Sequence, residues 1–138
     1  MISSPQKVYA FRLISGQDLK QSLLSFAKEN GLKAAYVITC VGSLKEAHLR
    51  LADQKMGTRW KQKMEIVSLV GTLFSDGTHL HISLADSTGV MIGGHLLDEC
   101  IVHTTAEIVL GEALSFEFTR EIDPSTGYLE LKIGPRKG

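Results

Sequence analysis

The chain has 138 residues, of which 43% are hydrophobic and 22% are charged, and this composition excludes a disordered tail. Its length favours a single domain, residues 1–138, with one hydrophobic core. Fifteen basic residues balance fifteen acidic ones, which argues against a surface built chiefly to neutralise nucleic-acid phosphates.

The chain contains no segment typical of a targeting signal or a membrane anchor. No stretch approaches the roughly 20 apolar residues that a membrane-spanning helix needs. Cys40 and Cys100 are far apart, lie in or beside apolar runs and show no metal-binding spacing, so we expect buried free thiols in a reducing compartment. We therefore expect a soluble, intracellular protein without a membrane partner, cytoplasmic or, in a eukaryote, nuclear.

The N-terminal third is predicted to form a strand, one helix and a pair of strands. Residues 7–13 have strand composition. Ser15 is the predicted N-cap of a helix whose leucines follow helical spacing, and Asn30-Gly31 is the predicted stop. Two strands, 32–42 and 44–52, are predicted to join tightly at Gly42-Ser43, with Leu44, Glu46, His48 and Arg50 on one face of the second.

The remaining chain is predicted to be mostly strand. Residues 53–62 are polar and indicate an exposed loop, whereas 64–73 form a strand with Glu65 among apolar residues. Residues 100–110 are a β-branched strand with His103, Thr105 and Glu107 on one side, and 114–122 and 128–133 form a last pair. The fold class is therefore α+β: a mostly antiparallel or mixed sheet of about eight strands with one main helix.

Residues 76–97 hold the side chains that are best suited to a functional site. His79 and His81 alternate with Leu80 and Ile82, which predicts a half-buried strand with both imidazoles on one face. Turn residues 86–89 follow, and an apolar return strand over 90–97 can carry His95 beside the pair. Three imidazoles can hold one divalent metal ion and leave a position for water. A His-x-His pair on a strand is also commonly just a polar outer face, and the pattern alone leaves both interpretations open.

Several segments, taken in order, carry a resemblance to a known family. They are FRLISGQDLKQSLLSFAKENGLKAAYVITCVGSLKEAHLRLA, MEIVSLVGTL, DGTHLHISLAD, GGHLL, TTAEIVL and FEFTREIDPSTGYLEL. Together they resemble the PPC domain, also called DUF296, which occurs in prokaryotes and in plant AT-hook proteins. The resemblance implies a homotrimer. It also implies that the histidines of the G-x-H-L-H and G-G-H-L motifs, here His79, His81 and His95, hold a zinc ion, with another divalent transition metal as the alternative.

The resemblance also implies a DNA-associated role, but plant relatives carry an Arg-Gly-Arg AT hook that is missing here. We therefore expect duplex DNA to bind weakly. Three functions remain open: a metal-binding homo-oligomeric module with a DNA-associated or regulatory role, a small zinc-dependent hydrolase or lyase, and a protein-interaction scaffold. Whether the protein is an enzyme is left open, and Glu65, His103 or Glu107 would be the general base or the residue that orients a ligand.

Overall fold

Nine β-strands and one α-helix make up residues 3–138, the part of the chain that the computed structural model describes. In chain order they are β1 (Gln6–Ile14), α1 (Leu19–Glu29), β2 (Ala35–Arg50), β3 (Thr58–Trp60), β4 (Met64–Phe74), β5 (Gly77–Ala85), β6 (Met91–Leu96), β7 (Ile101–Ala113), β8 (Phe116–Ile122) and β9 (Leu129–Pro135). The predicted α+β class, with a mostly antiparallel sheet and one helix, is confirmed. Within residues 3–138, no helix is both long enough and apolar enough to cross a membrane.

Seven strands form one antiparallel sheet, in which the order of the main path is β1-β7-β2-β4-β5-β6 and β3 pairs with β2. Strand β2 is long enough to have different partners at its two ends. Its first half pairs with β4, and its last residues, Leu49 and Arg50, pair with β6. Strands β2, β4, β5 and β6 therefore close into a ring, while β8 and β9 form a separate two-stranded hairpin.

The prediction of two strands joined at Gly42-Ser43 is wrong, because β2 runs through this position without turning. The pairing register with β7 shifts on either side of Leu44, so the chain forms bulges there instead of a turn. A side chain at position 42 would collide with the carbonyl oxygen of Thr105 on β7. The bulges also reverse the predicted facing of Leu44, which is buried with Ala47 and Leu49.

The prediction of a continuous loop over 53–62 is also wrong in part. Thr58–Trp60 pairs with β2 as the short strand β3, and the Trp60 ring packs against the core. Three residues are too few to show an alternating pattern. The strand exists because the end of β2 presents free backbone groups to it, a tertiary effect that local composition does not reveal.

The helix begins three residues later than predicted. Asp18, not Ser15, is the N-cap, and its carboxylate accepts hydrogen bonds from the N–H groups of Gln21 at 3.0 Å and Glu99 at 2.7 Å. Ser15 lies instead in a turn with Gly16, which has a φ of 90°. The predicted stop is confirmed, since Asn30 is the C-cap and Gly31 has a φ of 59°.

The sheet has an inner face, covered by α1, and an outer face that no helix covers. Leu19, Leu23 and Ala27 of α1 are fully buried in a core shared with the strands. Cys40 and Cys100 are buried free thiols, as predicted. On the outer face, apolar side chains stay between 47% and 56% exposed; these are Ile38, Val41, Val67 and Val70.

Candidate metal centre

Strand β5 sets His79 and His81 side by side on the outer face. Leu80 and Ile82, which alternate with them, are 1% and 2% exposed, so packing against the core fixes the facing of the strand. On the neighbouring antiparallel strand β4, Thr72 lies opposite His79 and Val70 lies opposite His81. Both imidazoles are exposed.

Strand β6 brings the third histidine to the pair. His95 lies directly opposite His81 on β5, and on the other side of β6 it pairs with Arg50 of β2. Gly94 permits this arrangement, because a Cβ atom there would lie 2.8 Å from the Arg50 carbonyl oxygen. Closure of the strand ring thus determines where His95 stands, and the structure brings all three predicted histidines together.

The three imidazoles form a compact group. One ring nitrogen from each lies within 4.8 Å of the other two. The ring centroids are 5.0 Å apart for His79 and His81, 5.3 Å for His79 and His95, and 5.7 Å for His81 and His95. Tetrahedral zinc with Zn–N bonds near 2.0–2.1 Å needs nitrogens roughly 3.3 Å apart. The three nitrogens would therefore have to move closer together to bind one ion.

Burial and nearby charges favour the neutral form of two of the imidazoles, those of His79 and His95. Burial, and then the positive charge of Arg50, lowers the pKa of His95 to about 4. Although the His79 side chain is exposed overall, partial desolvation of its ring is the main reason that its pKa is lowered, followed by the charges of His81 and Arg120. Neutral imidazole is the form that binds a metal ion, because a protonated ring has no free lone pair.

The residues present fit a divalent metal ion. The Nδ1 atom of His95 is buried and has no hydrogen-bond partner among residues 3–138. Leaving a buried polar atom unsatisfied costs about 1–3 kcal/mol, so coordination of a cation by this imidazole would stabilise the site. Three imidazoles without a thiolate suit zinc and, as alternatives, copper, nickel or iron.

Glu65, His103 and Glu107, the residues considered as a general base, do not join the histidine group. Glu65 pairs with Ala85 at the far end of β5, and Glu107 pairs with Val41 of β2. His48 is also engaged elsewhere, since its Nδ1 atom lies 3.0 Å from the Asp98 carbonyl oxygen.

A cleft of about 310 Å³ lies beside the histidines. Its wall includes Val70, Thr72, His79, His81, Arg120 and Glu130. Arg120 and Glu130 belong to the β8–β9 hairpin, and neither was predicted as a site residue. No motif spacing connects a hairpin arginine to a histidine forty residues earlier in the chain, so no local signal was available.

The chain is similar to known proteins over most of its length. The family model of the Plants and Prokaryotes Conserved (PCC) domain matches residues 2–114. The chain is 50% identical over 127 residues to the bifunctional protein GlmU of Synechococcus sp. strain JA-3-3Ab, covering 92% of this chain and 20% of that protein. It is 29% identical to the AT-hook motif nuclear-localized protein 2 of Arabidopsis thaliana, covering 80% of this chain and 35% of that protein. The chain thus spans only a fifth to about a third of these curated relatives.

Solved structures match over nearly the whole chain. A hypothetical protein from Salmonella cholerae-suis is 40% identical, with a TM-score of 0.97 and 99% of both chains covered. A metal-containing protein from Archaeoglobus fulgidus has a TM-score of 0.79 at 24% identity, covering 94% of this chain and 98% of that one. A "putative dna binding protein" from Bacteroides thetaiotaomicron has a TM-score of 0.78 at 24% identity, covering 95% and 98%. The last two likenesses show the fold alone.

Proposed function

We propose that this chain, which belongs to the Plants and Prokaryotes Conserved (PCC) domain family as its motifs predicted, is a metal-binding, homo-oligomeric module. His79, His81 and His95 would be the ligands, and Zn²⁺ the ion. The observation that carries the proposal is the convergence of three imidazole nitrogens within 4.8 Å, one of them from a histidine with an orphaned buried nitrogen. The structural neighbour described as a metal-containing protein supports it.

The donor set also indicates what such an ion would do. Three neutral ligands leave the ion its full double charge and an open position, which lets it polarise a bound oxygen ligand or water. His79 and His81 are exposed and line the cleft, so an ion held by these histidines would be reachable from it. The residues of this chain would thus hold a Lewis acid that is accessible from the cleft.

Elemental analysis of protein purified without a nickel column tests the site. We expect about one zinc ion per chain after dialysis against a weak chelator, and loss of that zinc in His79→Ala and His95→Ala. His48→Ala is the matched control, because the His48 ring lies against the Asp98 carbonyl group outside the histidine group. Stoichiometric zinc in all of these variants would reject the three-histidine site.

The outer face supports the oligomeric part of the proposal. Ile38, Val41 and Val67 are each about half exposed on a sheet face that has no covering helix within residues 3–138. Exposed apolar surface of this kind is stabilised by burial against another copy, and the family resemblance implies three copies. Light scattering should give a trimer mass, and Val41→Lys together with Val67→Lys should lower it. A monomer mass for the unaltered protein at micromolar concentration would contradict the proposal.

DNA association is the second candidate. It is favoured by the Bacteroides neighbour and by the AT-hook relative from Arabidopsis. The balanced charge of the chain, with 15 basic and 15 acidic residues, limits the electrostatic part of any such binding. A salt titration in a gel shift should show dissociation constants on the order of 10⁻⁴ to 10⁻⁶ M or weaker at physiological salt. Nanomolar, sequence-selective binding would show that DNA recognition is the principal function.

A further inference from the structure

The β8–β9 hairpin adds two charged side chains to the cleft beside the histidines. It lies beyond residues 2–114, the range that the family model matches. It is held to the main sheet, because the Phe118 N–H donates to the Lys33 carbonyl oxygen at 2.8 Å and the Phe118 ring is buried. Arg120 and Glu130 are therefore carried on an anchored element and not on a free loop.

Arg120 is half-buried and has no carboxylate partner. Its guanidinium Nη2 donates to the Thr72 hydroxyl at 3.3 Å, and Thr72 is the direct neighbour of His79 across β4 and β5. None of the ion pairs among residues 3–138 includes Arg120. A partly desolvated guanidinium with free donors favours an oxyanion, which it binds through two parallel hydrogen bonds.

Glu130 also lines the cleft, but in the hairpin it stands opposite Glu121 whereas Arg120 stands opposite Leu131, so the two side chains leave the hairpin on opposite faces and form no ion pair with each other. The Thr126 hydroxyl donates to its Oε1 atom at 3.0 Å, which positions the carboxylate and leaves Oε2 to accept another hydrogen bond. With a divalent ion on the histidines, the charges of the ion and Arg120 outweigh the single negative charge of Glu130. The cleft would then attract one anionic group and offer an acceptor to a nearby hydroxyl.

We propose that the cleft is a binding site for a small hydroxy-carboxylate. Its carboxylate would lie between the metal ion and the Arg120 guanidinium, and its hydroxyl would donate to Glu130. This inference rests on the metal ion proposed above for His79, His81 and His95.

The dimensions and lining of the cleft favour a small organic acid over a nucleic-acid backbone. Its volume of about 310 Å³ is at the lower end of small-molecule pockets. Val70 and Leu131 supply an apolar wall for a carbon skeleton, which inorganic phosphate does not have. The Glu130 carboxylate repels a second negative charge, and this disfavours dianions and the successive phosphates of a duplex.

Visible spectroscopy of the cobalt-substituted 138-residue chain provides the test. Cobalt(II) on the histidines is titrated first, and its absorption bands report metal binding independently of any activity. Glycolate is the probe hydroxy-carboxylate, acetate lacks the hydroxyl, and inorganic phosphate and a short DNA duplex are competitors. The variants are Arg120→Met, Glu130→Gln and, as a control, Lys132→Met, which removes a charge from β9 at a residue paired with Glu121.

We expect glycolate to shift the cobalt bands saturably and to bind more tightly than acetate or phosphate. Arg120→Met should weaken glycolate binding about tenfold or more, because it removes a charge-assisted hydrogen bond, while Lys132→Met stays within about twofold. Glu130→Gln should weaken glycolate binding and leave acetate binding unchanged. Since Gln keeps the size of Glu130, this difference isolates the carboxylate.

Each other outcome rejects the inference in a recognisable way. If cobalt does not bind, the proposed metal centre and this inference fail together. If cobalt binds but Arg120→Met retains full glycolate affinity, the metal centre stands and the cleft assignment is wrong. Tighter binding of phosphate than of glycolate, or displacement of glycolate by the duplex, would assign the cleft to phosphate chemistry instead.

Discussion

The two faces of β5 have opposite environments although they alternate along a single strand. Leu80, Ile82 and Leu84 are at most 2% exposed in the core, while His79 and His81 are exposed on the outer face. The strand geometry that creates the core thus also aligns the proposed metal ligands His79 and His81. The contrast teaches that alternate residues of one strand serve the free energy of folding and the proposed metal binding. A substitution on one face can therefore change one property and leave the other.

The largest difference between the faces should appear in stability. Leu80→Ala removes a fully buried side chain and should lower the free energy of unfolding by about 2–5 kcal/mol. Val70→Ala, on β4 opposite His81, should cost less than about 1 kcal/mol, because Val70 is 56% exposed. Denaturant unfolding of the metal-free protein measures both. Equal losses would show that Val70 is buried between copies of the chain and does not line an accessible cleft.

The next largest effect should appear in zinc affinity. His81→Ala should lower it by about 100-fold or more, since replacing even a residue that only supports a ligand costs 10–100-fold. We expect His81 to matter most of the three, because Leu80 and Ile82 on either side anchor it in the core and it lies directly opposite His95. Competition with a chromogenic chelator gives the affinities. A larger loss in His79→Ala would refute this order.

A third test concerns Glu112, a charged residue buried near the C-terminal end of β7. Its carboxylate accepts from the Lys33 N–H at 3.0 Å, from Arg136 at 2.6 Å and from the Tyr9 hydroxyl at 3.3 Å. Glu112→Gln should lower the free energy of unfolding by about 2 kcal/mol, because Arg136 loses its partner. The partly exposed Arg136 keeps this cost below that of a fully buried pair.

The same carboxylate should make stability depend on pH. Burial raises the pKa of Glu112, but the Lys33 N–H and the Arg136 guanidinium outweigh burial, so the pKa is lowered. A lowered pKa in the folded state means that the unfolded chain binds protons more readily, so this stabilisation is present above the ordinary glutamate pKa and is lost in more acidic solution. Unfolding curves between pH 7 and pH 3 should therefore converge for the unaltered protein and Glu112→Gln. Parallel curves would contradict the role of this group.

The last prediction concerns the slope of zinc affinity against pH, which should be less steep than three titrating histidines would give. The pKa of His95 is lowered to about 4, so this ligand stays neutral between pH 7 and pH 5 and releases no proton when zinc binds. At most two of the three ligands then compete with protons in this range. The logarithm of the zinc affinity should fall by no more than about two per pH unit between pH 6 and pH 5. A slope of three would show that His95 is protonated there.

The sequence by itself determined the features that depend on neighbouring residues. Alternation along residues 79–84 predicted both the strand and the facing of His79 and His81, because successive side chains of a strand point to opposite sides. Asn30 and Gly31 likewise predicted the end of the helix, since a left-handed residue terminates it. The family motifs then indicated His95 as the third member of the group.

Only the tertiary structure decided the features that depend on distant pairing. The bulges around Leu44 follow from the approach of β7 to Gly42, and β3 exists only because it has β2 to pair with. The pairing of β6 with both β5 and β2 determines where His95 stands. The hairpin that carries Arg120 and Glu130 reaches the histidines through contacts far apart in sequence, with no local pattern to predict them. His79 and His81 were therefore evident from local periodicity, whereas the position of His95 and the charged wall of the cleft required the assembled fold.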